Sequence, residues 1–196
     1  MLVALSRRIF RLTGWRMDPN VPPEAYQRCV MIAAPHTSQW DFFYTLAAFD
    51  LMEIPLRFAI KQEFKLPLIS PVMEQAGALW IDRQSSAQQQ QRLSYIDQMA
   101  ALFEQHEQLV MLIAAEGSRS LRPQWRTGFY QVAKKANVPI TLGYLDYAKR
   151  LAGVGPAVYP TDDMAADMRQ IMAFYRPITG KHPEKFQTDE RWDEWT

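Results

Sequence analysis

The chain has 196 residues, 48% of them hydrophobic and 22% charged, with a net charge of +1; that length suits one domain with a single sizeable core, and the composition excludes a disordered chain. The near-neutral charge gives no reason to expect nucleic acid as a partner. A lone cysteine, Cys29, excludes an internal disulfide framework and a cysteine-rich metal site, so it reads as a small core hydrophobe in a reducing compartment.

Residues 1–16 carry Arg7, Arg8, Arg11 and Arg16 and no acid, with Leu2, Leu5, Ile9 and Leu12 at helical spacing and Phe10 and Trp15 nearby. The pattern fits a basic amphipathic helix lying on anionic lipid, and equally a helix packed on its own domain. It has no signal-peptide core. No uninterrupted apolar segment approaches the roughly 18 residues needed to span a bilayer. Residues 28–34 read as a buried strand, 39–53 as a helix, and 56–60 and 78–81 as two further strands. A helix over 85–106 keeps Leu93, Ile96, Ala100 and Phe103 on one face, and 109–114 is the apolar run of a central strand. A helix over 127–137 leads to a strand over 138–145. A short last strand at 157–159 and a helix over 162–175 follow, then a polar tail at 181–196 that wraps the surface.

Strands alternating with helices predict an α/β fold: a mixed, largely parallel sheet flanked by helices, in one domain over 1–196. In such sheets, sites gather at the carboxyl ends of strands. His36, Asp82-Arg83 and Glu116 each sit just past a predicted strand end.

His36-Thr37-Ser38-Gln39-Trp40-Asp41 puts an imidazole and a carboxylate five residues apart after a buried strand. Positions i and i+5 lie roughly 140° apart on a regular helix, so the two side chains meet only if the chain turns between them. That needs His36 in a loop and Asp41 in a helix's first turn, and Pro35 favours such a break. Acyl transfer to an alcohol uses a base for the hydroxyl proton and an anion to steady the resulting imidazolium. The alternative is structural: Ser38 caps the helix and Asp41 reaches back to its amide as a helix-start acid. Further on, Ala114-Ala115-Glu116-Gly117-Ser118-Arg119-Ser120 leaves a buried strand with a glycine, hydroxyls and an arginine suited to an anion. Arg119, Arg122, Arg126, Lys134 and Lys135 follow with no acid between Gly117 and Lys135, a run that also suits a solvated face. Lys61, after the 56–60 strand, is either an anion contact or a plain surface lysine.

Taken together these stretches resemble the glycerolipid acyltransferases typified by lysophosphatidic acid acyltransferase. His36 and Asp41 match that family's H-x-x-x-x-D block, and Gly77-Ala78-Leu79-Trp80-Ile81-Asp82-Arg83 is similar to its second, a strand ending in Asp-Arg. Glu116-Gly117-Ser118-Arg119-Ser120 resembles the third, with Ala115 in place of its usual proline. Val138-Pro139-Ile140 resembles the fourth. The blocks stand in order over residues 29–145. Departures at Pro35, Ala115 and Thr141-Leu142-Gly143 remove no catalytic group.

The resemblance implies that His36 is a general base on the acceptor hydroxyl, with Asp41 orienting its ring. It implies that Arg83, Glu116, Gly117, Ser118 and Arg119 bind the acceptor's head group, with Glu116 orienting an arginine or an acceptor hydroxyl rather than meeting phosphate, and with Lys61 a further candidate. Acyl-CoA or acyl carrier protein would be co-substrate, with no cofactor and no metal. The acceptor would be a lysophospholipid such as 1-acylglycerol-3-phosphate, or another polar lipid such as a glycolipid or lyso-ornithine lipid. A non-catalytic lipid-binding module is the reading from a different class, and an esterase is a weaker one. The expected location is cytoplasmic, peripheral on the inner face of the membrane. The absence of a G-x-S-x-G elbow fits direct attack by the acceptor, without an acyl-enzyme. His106 and His182 have no ligand spacing to another histidine or cysteine.

Overall fold

Apolar residues fill both faces of the segment Arg28–Ala33, as expected of a parallel strand covered from both sides, and this strand lies near the middle of the sheet. The computed structural model describes residues 2–54, 56–61, 70–75, 77–81 and 95–193. In chain order the strands are β1 (Arg16–Met17), β2 (Arg28–Ala33), β3 (Leu56–Lys61), β4 (Ala78–Ile81), β5 (Leu109–Ala114), β6 (Ile140–Asp146) and β7 (Leu151–Val158). The helices are α1 (Leu2–Leu12), α2 (Trp40–Leu51), α3 (Ser70–Gln75), α4 (Tyr95–Gln105), α5 (Gly128–Ala136) and α6 (Met164–Tyr175). The sheet order is β1-β7-β6-β2-β5-β3-β4, with only the β6–β7 pairing antiparallel. The mixed, largely parallel α/β sheet expected from the alternation is the observed one.

Strand pleating divides the core. Val30 and Ile32 of β2 face a cluster with Phe103 of α4, Phe129 of α5 and Met172 of α6. Cys29 and Met31 face the other way, toward Leu46 and Phe49 of α2. Beside that second cluster, Phe10 of α1 and Trp15 join Tyr44 and Ala47 of α2. Cys29 is the expected buried residue: it accepts a hydrogen bond from the Thr141 hydroxyl at 3.2 Å, and burial pushes its thiol up to about 11.

Several elements differ from the sequence reading. The first half of the helix expected over 85–106 lies outside the described residues; α4 accounts for its second half. The last strand is far longer than 157–159. β7 runs through Gly153, Gly155 and Pro156, residues that argue against a strand interior. Each has a local reason. The register slips so that Thr141 pairs with Ala157 and Leu142 with Gly155, leaving Pro156 as the extra residue of a bulge. A Cβ on Gly155 would lie 2.3 Å from the ring of Phe174, so only glycine lets α6 approach. The tail is no loose wrap, since Asp189 is fully buried, takes the Trp125 amide at 2.8 Å and pairs with Arg191 at 2.6 Å.

Candidate active site

Three neighbouring parallel strands, β5, β2 and β6, run together to the level where Ala33 lies opposite both Ala114 and Gly143, and β6 continues to Asp146. The residues just beyond the strand ends converge: His36 after β2, Glu116 after β5 and Tyr147 after β6. His36 sits in the loop between β2 and α2, and Asp41 is the second residue of α2. The chain therefore turns between them as the spacing required. His36 Nδ1 lies 3.3 Å from Asp41 Oδ2, long for a charge-assisted bond, although catalytic hydrogen bonds often tighten only with substrate bound.

The structural and catalytic readings of Asp41 turn out to describe one carboxylate. Its Oδ2 accepts the Thr37 and Ser38 amides, both at 2.9 Å, which is the reach-back expected of a helix-start acid. The same oxygen faces the imidazole. Oδ1 accepts the Tyr147 hydroxyl at 2.6 Å. Asp41 is only 3% exposed, so these donors replace the water that a buried anion would otherwise lack. Ser38 does not cap the helix in the expected way; its hydroxyl accepts the Trp40 amide at 3.2 Å.

Glu116 is buried against the turn that carries His36. Its Oε1 accepts the His36 backbone amide at 2.8 Å, while Oε2 is buried without a partner. Burial is the main force raising this carboxyl to about 7; the His36 amide opposes the shift and the charge on Asp41 adds to it. Gly117 adopts φ +68°, and a Cβ there would lie 3.0 Å from Arg126 Cγ. The glycine thus permits a left-handed turn and the passage of an arginine stem in one position. The Arg126 amide closes the loop by donating to the Ala115 carbonyl at 3.0 Å. Within the loop Ser118 accepts the Ser120 amide at 3.0 Å, and Arg119 is exposed.

The structure therefore brings together His36, Asp41, Glu116 and Gly117, with Ser118 and Arg119 on the exposed loop beyond. Lys61 ends β3, and its side chain lies outside the described residues, as do Asp82 and Arg83. Sequence reasoning passed over Tyr147. The signal that singled out His36 and Glu116, a polar residue just past a strand end, applies to it equally.

The C-terminal segment braces the site from outside. A Cβ on Gly180 would lie 2.9 Å from Pro35 Cβ, the His182 amide donates to Thr37 Oγ1 at 3.2 Å, and Lys181 Nζ stands 4.7 Å over the Trp40 ring. Beneath His36 and Asp41 runs a narrow cavity of about 40 Å³, bounded by apolar residues including Met31, Phe49, Met52, Leu112 and Val154. Among the described residues no group of three or more His, Cys, Asp and Glu is placed to hold a metal ion. No helix among them is long and apolar enough to cross a membrane.

The family model described as Acyltransferase matches residues 18–141, more than half of the chain and including His36, Asp41 and the Glu116 loop. The crystal structure of the 1-acyl-sn-glycerophosphate (LPA) acyltransferase PlsC from Thermotoga maritima is similar in fold. The TM-score is 0.54 at 14% identity, covering 83% of this chain and 69% of that one. A search of curated proteins found no match. Fold, ordered blocks and family match agree, and the chain belongs to the acyltransferase family.

Proposed function

We propose that the protein transfers a fatty acyl group from a thioester, acyl-CoA or acyl carrier protein, to a hydroxyl of a lysophospholipid such as 1-acylglycerol-3-phosphate. The observation that carries this reading is the His36 Nδ1–Asp41 Oδ2 contact at the mouth of the apolar cavity. With Nδ1–H turned to the carboxylate, Nε2 keeps its lone pair for the acceptor hydroxyl. As the hydroxyl oxygen attacks the thioester carbonyl, its proton passes to Nε2, and Asp41 steadies the imidazolium. Collapse of the tetrahedral species expels the thiolate, which takes the proton back from His36. No residue of the chain is acylated. The burial of Cys29 and its raised thiol support that route, since a neutral core thiol is a poor nucleophile.

General-base assistance of this kind is worth about 10²–10⁴ in rate, or roughly 3–5 kcal/mol of barrier. Glu116 contributes by holding the backbone of the base rather than by touching the acceptor. Arg119, on the exposed side of the same loop, remains the candidate for the acceptor's phosphate, with Arg83 and Lys61 further candidates. Phosphate recognition by a guanidinium suits that position, next to the turn at Gly117. The cavity is too small for an acyl chain as it stands, but Met31 and Met52 in its wall are the residue type that yields most readily.

A membrane-surface location fits the outer face of α1. Its apolar seam is divided: Phe10 is buried and Ile9 packs inward, whereas Leu5 is 51% and Leu12 80% exposed, alongside exposed Arg8 and Arg11. Apolar and basic side chains on one exposed stripe suit an anionic lipid surface. Because the thioester donors are intracellular, the reading places the protein on the cytoplasmic side.

The test is transfer from radiolabelled palmitoyl-CoA or palmitoyl carrier protein to a panel of lysophospholipids, glycolipids and lyso-ornithine lipid, with products identified by mass spectrometry. The expected result is a diacyl product from a lysophospholipid, lost in His36→Ala while the far-ultraviolet circular dichroism is unchanged. Full transfer by the folded His36→Ala protein would remove the base from the mechanism. A product from another lipid alone would reassign the acceptor.

A further inference from the structure

We infer that Tyr147 is a positioning residue for the catalytic pair, its hydroxyl fixing the Asp41 carboxylate in the orientation that faces His36. The inference rests on the reading of His36 as the base. It adds a residue beyond the four sequence blocks and beyond the family match, which ends at residue 141.

The division of labour on the carboxylate carries the argument. Oδ2 takes two backbone amides and faces the imidazole, so its surroundings are supplied by the His36–Asp41 turn itself. Oδ1 has no donor from that turn; the Tyr147 hydroxyl reaches it from the end of β6 at 2.6 Å. Without that donor a buried anionic oxygen would lack a partner, and rotation of the carboxylate to find one would carry Oδ2 away from Nδ1.

The tyrosine is itself fixed at three points. Its backbone amide donates to the Thr179 carbonyl at 2.9 Å, binding it to the C-terminal segment. Its ring stands edge-on to Trp15, with centroids 4.8 Å apart at 88°, and to Tyr44 at 5.8 Å and 87°. Such edge-to-face packing fixes a ring at little conformational cost. A rigid phenol aimed at one carboxylate oxygen is what pre-organisation of a base requires.

The titratable groups around the hydroxyl are Asp41 and, through it, His36, with Tyr44 packed against the ring and Asp146 adjacent in the chain, paired with Lys149. Burial and then the bond to Asp41 push the phenol well above its ordinary value, so it stays a donor throughout the working range. Deleting the hydroxyl lets the carboxylate turn and takes Oδ2 away from Nδ1, so the imidazolium loses its anion. The His36 titration midpoint should therefore fall.

Tyr147→Phe keeps the ring and its aromatic contacts and removes only the hydroxyl. Two measurements are made on the full chain, with His36→Ala alongside. The first is steady-state transfer from palmitoyl-CoA to 1-oleoyl-lysophosphatidic acid. The second is a proton-NMR titration of the His36 Cε1–H, assigned among three histidines by its loss in His36→Ala. The expected result is a fall in kcat of about tenfold or more, KM for both substrates within about twofold, and a downward His36 midpoint. An unmoved midpoint overturns the inference whichever acceptor proves to be used, because a purely structural tyrosine predicts that outcome. Unchanged kcat in Tyr147→Phe with an inactive His36→Ala would also overturn it while leaving the base intact. Activity retained in His36→Ala removes the base itself, a failure distinct from that of the tyrosine.

Discussion

Replacing Glu116 by glutamine tests the least expected feature of the site, a buried carboxyl held against the backbone of His36. The substitution keeps an oxygen able to accept the His36 amide at 2.8 Å and removes the charge. In the wild type, burial lifts this carboxyl from its ordinary 4.5 to about 7, and the residue is only 4% exposed. A carboxyl raised on folding binds its proton more tightly in the folded than in the unfolded chain. Its stabilising contribution is complete below pH 4.5 and is lost as pH rises through 7. The full loss is roughly 3 kcal/mol, and about 2.5 kcal/mol of it falls between pH 5 and 8. Glutamine does not titrate, so Glu116→Gln should gain on the wild type by about that amount across the interval. At pH 5 the difference should be small, because protonated glutamate and glutamine both carry an unpartnered donor where Oε2 lies. Urea unfolding of both proteins at pH 5, 6, 7 and 8, extrapolated linearly to water, reads the difference while groups common to the two cancel. A difference that stays flat over this range would show that the carboxyl is not raised, and the reasoning from burial would fail.

The carboxylate of Asp41 takes three close donors, so Asp41→Asn loses the charge-assisted bonds. It can keep its oxygen on the Thr37 and Ser38 amides only if the Tyr147 hydroxyl reverses from donor to acceptor. We expect a loss of about 1–3 kcal/mol of stability by thermal melting and a fall in kcat well beyond what that loss explains; wild-type stability would contradict the donor arrangement. Arg119→Ala should raise the KM for a phosphate-bearing acceptor several-fold with kcat nearly unchanged, and an unchanged KM would place the phosphate elsewhere. The triple variant Arg8→Glu, Arg11→Glu and Leu12→Glu should lose sedimentation with vesicles of phosphatidylglycerol while keeping its melting temperature. Retained binding would move the lipid contact away from α1.

Much of the site was legible because its chemistry is local. The five-residue spacing of His36 and Asp41, with Pro35 before it, requires a turn, and a turn following a buried strand in an α/β chain lies at the site-forming edge of the sheet. The carboxylate's two uses could not be separated in the sequence because they are not alternatives: one oxygen meets the amides of its own turn and the imidazole together. Glu116 was found for its position, but nothing local indicates that its carboxyl crosses to the amide of His36 on the neighbouring strand's loop.

Sequence alone determined what periodicity and short-range stereochemistry encode: the alternation of strands and helices, the buried character of β2 and β5, the amphipathic start and the turn that bears His36 and Asp41. Only the tertiary structure decided which loops stand side by side, and hence that Glu116 meets the His36 amide and Tyr147 the Asp41 carboxylate. It also decided that β7 starts at Leu151 rather than near 157, because its glycines and proline disfavour a strand there locally. There, the close approach of Phe174, the bulge at Pro156 and pairing along β6 outweigh propensity. Contacts between residues a hundred positions apart depend on register and packing, which no local pattern records.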